Sequence, residues 1–461
     1  MKSDGECVLA CSPAHKLYEA TYSRVKCDYR DLSEKFKHKK KDFSKQYAHI
    51  YSSRSMKMRA HLLNRVRAEW GNEVEVKRLA DLQEESESER CVLIGILYKH
   101  QELHPSILKD ISEELQVVPQ QKMVRFVDEK DELILEDDVQ RIRLCGDIDV
   151  HSLVTGVVVA LLGRVSSDRF NVEKVCYSGP MSPSGLTLKA QDPERYLVIV
   201  SGFELAHASD SLLPLKMFTD WVTGWLGDPS DQHRNSRIAL VLIAGNLLRG
   251  ISESKDGKII NTHVENSSDV FTTVKTADDI LADLAETVHV ELMPGEFDPS
   301  NLMLPQQPLH YKMFPSASSF SSLHGATNPH SFEVENRLVI GSSGQSIDDI
   351  GRYSNLQDPL EALESTFRWG HICPTCPDTL PSYPYFDDDP FVIDRQPDIY
   401  FSANHDQYQS KMISYTHEGG VKQDVRLVVV PSFNKTKSCV VVGLSSLKCE
   451  RVSFNVGNLS R

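Results

Sequence analysis

Apolar positions recur along this chain at two different periods, and the change between them divides it. From Phe43 to Trp70, residues Phe43, Tyr47, Ile50, Met58, Leu62 and Val66 fall at helical spacing with Gly71 after the end. This predicts one long amphipathic helix or two short ones. From Cys91 to Tyr177 the period turns toward alternation, with strands expected at Cys91–Tyr98, Glu132–Leu135, Val139–Ile148, Val157–Val165 and Phe170–Tyr177. A short helix is expected near Ser106–Leu115. Beyond Tyr196, apolar runs alternate with helical patterns. Tyr196–Val200 reads as a strand, Leu215, Phe218, Val222 and Trp225 as a helix face, and Arg237–Ala244 as a second strand. Ser268-Asp269 caps a helix carrying Val274, Ala277, Leu281 and Leu284, which leads into the strand His289–Met293.

Five strands in about ninety residues suit a small Greek-key barrel such as an OB-fold, although the pattern also permits other five-stranded barrels. The strand–helix alternation that follows implies a largely parallel sheet with helices outside. Later signals are shorter: a strand at Arg337–Gly341, a helix opened by Asp358-Pro359 and running to Trp369, and a strand at Asp398–Ser402. Val425–Val430 and Ser438–Leu444, joined by Asn434–Lys437, read as an antiparallel hairpin. Such mixed pairing fits a two-sheet α/β sandwich. The expected divisions are an N-terminal segment (1–43), a helix-plus-barrel domain (44–178), a Pro/Gly/Ser-rich linker (179–194) and a larger domain (195–461).

Composition narrows the classes. An apolar fraction of 40% and a charged fraction of 25% over 461 residues are those of an ordinary globular chain with sizeable cores. No apolar run is long enough to span a bilayer, and most of the cysteines sit singly in apolar runs, as at Cys91, Cys176 and Cys439, so an intracellular setting with reduced thiols is expected. A net charge of -14 argues against extended binding to a phosphate backbone, which rests on many Lys/Arg contacts. The basic run Lys35–Lys41 reads best as a solvated surface segment, with a localisation signal or phosphate-contacting arm as the alternative. In the barrel strands the aromatics are Tyr98, Phe170 and Tyr177, and acidic residues crowd the loops. A protein-docking barrel is therefore favoured over a single-strand DNA binder, which needs stacking platforms and basic grooves.

Chemistry is expected at the C-terminal ends of the parallel strands, where α/β sheets bind ligands. After His289–Met293, Pro294-Gly295 forces a turn that delivers Glu296, Phe297 and Asp298 to that edge. The outline is that of a metal-dependent phosphoesterase loop, in which Gly-Asn-His-Asp or Gly-Asn-His-Glu supplies ligands to paired metal ions. Here Glu296 and Phe297 replace Asn and His, and a phenyl ring ligates nothing. The first strand ends with Gly202 and Glu204 where an active enzyme has Asp-x-His, and the second with Asn246 and Arg249 in place of Gly-Asp-x-x-Asp. The last loop offers Asn404 and Asp406 where Gly-His-x-His would give two imidazoles, and His405 falls on the spacer position. Only Asp298 survives as a ligand candidate, too few for a binuclear centre. No catalytic residue, metal or cofactor is expected in this chain.

Four segments carry a family resemblance: Phe43-Ser-Lys-Gln-Tyr-Ala-His-Ile-Tyr51, Val290–His310 with its MPGEFDPSN and LPQQPLH pieces, Ile340-Gly-Ser-Ser-Gly-Gln345 and Pro377-Asp-Thr-Leu380. From about residue 43 to near residue 455 the chain resembles the B-subunit family of replicative DNA polymerases. The resemblance implies an OB-fold followed by a calcineurin-like phosphoesterase domain that has lost its metal ligands, and hence a nuclear, non-catalytic scaffold in DNA replication and repair synthesis. The partners it implies are the C-terminal cysteine-rich domain of the polymerase catalytic subunit and the N-terminal domain of a third accessory subunit. Any DNA contact would come mainly through the complex, and no membrane is involved.

Two other classes stay open: a residual manganese-dependent phosphodiesterase or nuclease, and a single-strand DNA-binding barrel. The plainer readings concern smaller motifs. Cys373-Pro-Thr-Cys376, with His371 nearby, makes three ligands at best and reads as a packed loop. Asp387–Asp389 reads as a solvated turn, and Pro305-Gln-Gln-Pro308 as a loop packed across the former active-site edge. On the scaffold reading, a double alanine change at Glu296 and Asp298 should leave assembly near normal.

Overall fold

The stretch 22–38, which holds the start of the basic run read as solvated, is instead docked. In a computed structural model that describes residues 22–38, 42–72, 74–82, 89–104, 124–166, 168–186, 193–207, 212–249, 267–417 and 420–454, it forms the strand β1 (Tyr29–Asp31) and a 3-10 turn (Ser33–Phe36). Phe36 is fully buried, Lys35 Nζ donates to Asp394 Oδ2 and Val392 O, and Lys37 pairs with Asp31 at 2.6 Å. One buried phenyl is enough to drag its flanking lysines onto the surface, where their stems lie along apolar groups. Lys39–Lys41 lie outside the described residues.

The helix α1 (Ala48–Trp70) starts later than expected. Asp42 Oδ1 accepts both the Ser44 N–H and the Ser44 hydroxyl, and this local turn competes with the helix. Phe43 and Tyr47 consequently stay outside it and exposed. Met58, Leu62 and Val66 are buried against Val92, Ile94, Val158 and Leu162 of the barrel, so the rest of the expected stripe does face a core.

That barrel consists of β2 (Glu75–Lys77), β3 (Arg90–His100), β4 (Glu132–Glu136), β5 (Arg141–Gly146), β6 (Val158–Ser166) and β7 (Arg169–Tyr177) in the order β2-β3-β4-β5-β7-β6. An added β3–β6 pairing closes it, and β5 and β7 run parallel. Counting from β3, this is the 1-2-3-5-4 Greek key of an OB-fold. The helix expected near Ser106–Leu115 lies outside the described residues.

The larger part of the chain comprises β8 (Tyr196–Val200), α2 (Leu212–Thr223), α3 (Pro229–Asn235), β9 (Ile238–Ala244), α4 (Ser267–Ala285), β10 (His289–Met293), β11 (Leu323–Gly325), β12 (His330–Val334), β13 (Arg337–Ser342), α5 (Gln345–Tyr353), α6 (Pro359–Trp369), β14 (Ile399–His405), β15 (Gln409–Thr416), β16 (Lys422–Pro431), α7 (Phe433–Thr436), β17 (Ser438–Gly443) and β18 (Cys449–Ser453). Two six-stranded sheets result, β11-β10-β9-β8-β17-β18 and β1-β12-β13-β14-β16-β15. Leu240, Leu242 and Met293 of the first meet Phe332, Val339, Phe401 and Val428 of the second in a shared core. The alternate residues of the first sheet, such as Val198, Val241 and Ile243, face α2 and α4. Strands buried on both faces read as continuous apolar runs.

That same property defeats the expected hairpin. β16 pairs with β14 and β15 in one sheet, whereas β17 pairs with β8 and β18 in the other. The chain crosses between the sheets because Phe433, fully buried, inserts among Phe203, Phe218 and Phe454 beneath α2. Trp225 is a second correction. Gly224, at φ +91°, ends α2 at Thr223 and leaves Trp225 83% exposed in the turn.

Barrel and sandwich are sealed by Arg54 on α1, which is 0% exposed. Its Nε donates to Asp389 Oδ2 at 2.7 Å, Nη1 to the carbonyls of Gly156 and Pro374, and Nη2 to the carbonyl of Cys376. Asp389 is therefore no solvated turn residue: it is fully buried and also bonded to His371 Nε2 at 2.9 Å. Burial alone would push its carboxyl up, but Arg54 and His371 hold it well below the usual carboxylate range. Cys373 and Cys376 are buried, free thiols in the loop that Arg54 ties down, with His371 turned to Asp389.

Candidate functional site

β8, β9 and β10 run parallel, as do β13 and β14 in the facing sheet, so the loops after them leave from the same edge of the sandwich. The structure brings all nine sequence-predicted positions to this edge region. Gly202 N donates to Gly245 O and Glu204 N to Asn246 O, which joins the first two loops. The Asn404 side-chain amide donates to Ala244 O at 3.0 Å and Ser343 O at 2.8 Å, and Phe297 N reaches Asn246 Oδ1 at 3.4 Å. Glu204, Asn246 and Asn404 all hold positive φ, between 50° and 64°, a region that glycine and asparagine enter most easily. Gly245 and Gly295 pack so closely that a Cβ on Gly295 would stand 2.2 Å from Asn246 Oδ1. The backbone is thus drawn in around the place where an active site of this outline would hold its ions.

Three of the potential ligands, Asp298, Glu204 and Asp406, already have other partners, while Asn404 Oδ1 is buried without one. Asp298, 5% exposed, accepts from the backbone N–H groups of Leu247, Leu248 and Gly295 at 2.9–3.2 Å. Burial raises the pKa of its carboxyl, against the smaller downward pull of these donors. It clamps one loop to another, where the sequence suggested a free metal ligand. Glu204 accepts from Asn434 Nδ2 at 3.0 Å, and Asp406 pairs with Lys435 at 2.6 Å. Arg249 is half-buried and engaged in an interaction of its own. His405 Nε2 hydrogen-bonds to Ser402 Oγ at 2.7 Å, and its Nδ1 faces Asp348 Oδ1 at 3.7 Å. Phe297 is half-buried and Glu296 exposed.

A second layer packs the Pro305–Pro308 loop across this edge, as expected, through side-chain bonds that the sequence did not show. Gln306 Nε2 donates to Gly295 O and Asn301 O, while Asn328 Nδ2 reaches Gln306 Oε1 and Gln345 Oε1, each at 2.8 Å. Ser343 N donates to Asn328 Oδ1, and Gln345 Nε2 to Gln306 Oε1. This buried, neutral amide network joins the turn at Gly295 to the QQ of the Pro305–Pro308 loop and to the Gly344-Gln345 helix start. Asp349 extends the same fastening by accepting from Thr375 and Thr379 hydroxyls. Asp348, the other residue the sequence reading missed, stands beside Glu296 and Asp406. Burial and those neighbours raise it to about 6. The signal that could have found it is its position in the first turn of α5, directly after the Gly-Ser-Ser-Gly strand end. Fully satisfied polar networks of this kind fix a unique arrangement.

Comparison with known proteins gives a consistent picture. The family model for the DNA polymerase delta subunit OB-fold domain matches residues 46–175, and that for the B-subunit of DNA polymerases alpha and epsilon matches residues 197–411. The chain is similar to DNA polymerase delta subunit 2 of Drosophila melanogaster, 38% identical over 94% of this chain and 99% of the relative. It is 36% identical to the DNA polymerase delta small subunit of Oryza sativa, over 94% of this chain and 98% of the relative. The DNA polymerase II small subunit of the archaeon Pyrococcus abyssi is 21% identical over 77% of this chain and 53% of that protein.

Proposed function

This chain belongs to the family of DNA polymerase delta small subunits, accessory subunits of the replicative polymerase, and from that premise we propose that its two-sheet domain is a calcineurin-like phosphoesterase converted into a non-catalytic scaffold. One observation carries the reading. Asp298, the last candidate ligand, spends its carboxylate on three backbone N–H groups, and Glu204 and Asp406 are paired to Asn434 and Lys435. A binuclear centre needs several anionic or imidazole ligands converging on ions about 4 Å apart. Asp298, Glu204 and Asp406 cannot turn to a metal without breaking the fold's own fastenings.

As a scaffold in the nucleus, the subunit joins the C-terminal cysteine-rich domain of the polymerase catalytic subunit to the N-terminal domain of a third accessory subunit, in replication and repair synthesis. A DNA-binding role for the barrel has less support. Phe170 is fully buried, and the cleft beside Tyr98 is lined by Glu136, Asp137, Asp138 and Asp378, which repel a phosphate backbone.

The test is calorimetric titration of the purified full chain with Mn²⁺, alongside a phosphodiesterase assay. The scaffold reading expects no hydrolysis, and no metal uptake that depends on Asp298, Asp348 or Asp406. Turnover abolished by Asp406→Ala would overturn it. Deleting either domain is a poor way to assign partners, because Leu93 and Leu161 of the barrel share one core with Leu338 and Phe367 of the sandwich. Point variants in the full chain, read by co-purification with each partner protein, keep that core intact.

A further inference from the structure

A cluster of histidines lies away from the strand-end loops, at the open edge of the sandwich where β10 and β11 face β1 and β12. His289 Nε2 stands 2.7 Å from Glu291 Oε1, and His324 Nδ1 stands 3.6 Å from the same oxygen. The three ligand atoms all lie within 4.8 Å of one another. Donors bound at about 2.0–2.1 Å to a tetrahedral zinc stand about 3.4 Å apart, so small side-chain rotations suffice to close the set. Parallel pairing creates this placement. Glu291 and His324 are register partners on adjacent strands, and His289 is two residues along the same face as Glu291.

A separate observation points into the cluster. His330, 1% exposed on β12, has an Nε2 without a hydrogen-bond partner, 3.7 Å from Glu291 Oε2. Its Nδ1 stands 2.6 Å from Ser33 Oγ, a hydroxyl that also lies 3.0 Å from Ser331 O and accepts the Ser331 N–H. With the hydroxyl proton on Ser331 O, Nδ1 donates to Ser33 and Nε2 presents its lone pair toward the Glu291 carboxylate, an arrangement that a cation between them completes. Tyr29 covers the other side. Its ring packs 4.6 Å from that of His289, and its hydroxyl hydrogen-bonds to Glu291. Metal-ligating carboxylates are ordinarily oriented by such outer hydrogen bonds.

We propose that His289 Nε2, the Glu291 carboxylate and His324 Nδ1 form a binding site for one zinc-type divalent ion, with His330 Nε2 as a fourth donor. Two or three imidazoles with one carboxylate select zinc or a similar borderline metal over magnesium or calcium, which take oxygen ligands. The 47% exposed side chain of His324 leaves the ion reachable from solvent.

The experiment strips the purified full chain with a chelator, titrates it with Zn²⁺ by calorimetry, and repeats the titration with Co²⁺ for its visible spectrum. One ion per chain, a four-coordinate Co²⁺ spectrum without thiolate charge-transfer bands, and a melting temperature that rises with Zn²⁺ are expected. His324→Ala should weaken binding by more than about tenfold without changing the chelated protein's melting temperature, since the residue is half exposed. Glu291→Gln should abolish binding. A flat thermogram at micromolar zinc would mean that Glu291 merely holds a proton and would overturn the proposal. So would zinc binding that survives His324→Ala unchanged.

Discussion

Replacing Arg54 by methionine keeps the length and apolar stem of the side chain and removes its charge. Four hydrogen bonds disappear, at 2.7–2.9 Å, and Asp389 remains fully buried opposite a thioether. Breaking a buried pair from one side costs about 3–5 kcal/mol, because the surviving charge stays desolvated. The three orphaned carbonyls of Gly156, Pro374 and Cys376 add up to about 1 kcal/mol each. Uptake of a proton by Asp389 limits the sum, and a loss of about 3–6 kcal/mol is expected, a large share of the 5–15 kcal/mol typical of a folded chain. Urea denaturation followed by both tryptophan fluorescence and far-UV dichroism measures this and reveals whether barrel and sandwich still unfold together. Asp389→Asn in the Arg54→Met background should cost much less than the two single effects added, with a coupling above about 1 kcal/mol. A single-variant loss below about 1 kcal/mol, or strict additivity, would refute the claim that this ion pair seals the two parts.

Three further outcomes follow from the same geometry. Asp298→Ala should destabilise the chain by about 2–4 kcal/mol because three backbone N–H groups lose their acceptor, whereas Glu296→Ala should stay within about 0.5 kcal/mol. Thermal melts of the two single variants check this. Gly156→Ala should be as damaging as loss of Arg54, by more than about 2 kcal/mol, since at φ +90° its Cβ would stand 2.0 Å from Pro374 O and 2.7 Å from Arg54 Nη1. Equal urea midpoints for Gly156→Ala and the parent would exclude that packing. Finally, burial lowers the His371 pKa to about 4, against about 6.5 when unfolded. The unfolded chain therefore binds more protons between these values, so this contribution is complete above about 6.5 and is lost as pH falls toward 4, by at most roughly 3 kcal/mol. His371→Asn should flatten the pH dependence of the urea midpoint across that window, and an unchanged slope would contradict the assignment.

The local pattern determined a good deal here. Helical spacing at Met58, Leu62 and Val66, alternation through the barrel, and apolar runs such as Arg237–Ala244 reflect burial that each element imposes on its own residues. The Pro294-Gly295 turn was legible for the same reason, and a phenyl or a glycine has no side-chain ligand atom in any fold. What could not be read were pairings between residues far apart in the chain. Val425–Val430 and Val440–Val442 look alike because both are buried on two faces, and only the insertion of Phe433 beneath α2 sends them to different sheets. Asp389 looks like any acidic turn residue until Arg54, 335 positions away, arrives beside it. Asp298 looks like a free ligand until the Leu247 and Leu248 amides close on it. Hydrophobic periodicity is a property of one segment, whereas the worth of a charge depends on its partner and its dielectric surroundings, and only the assembled tertiary structure supplies those.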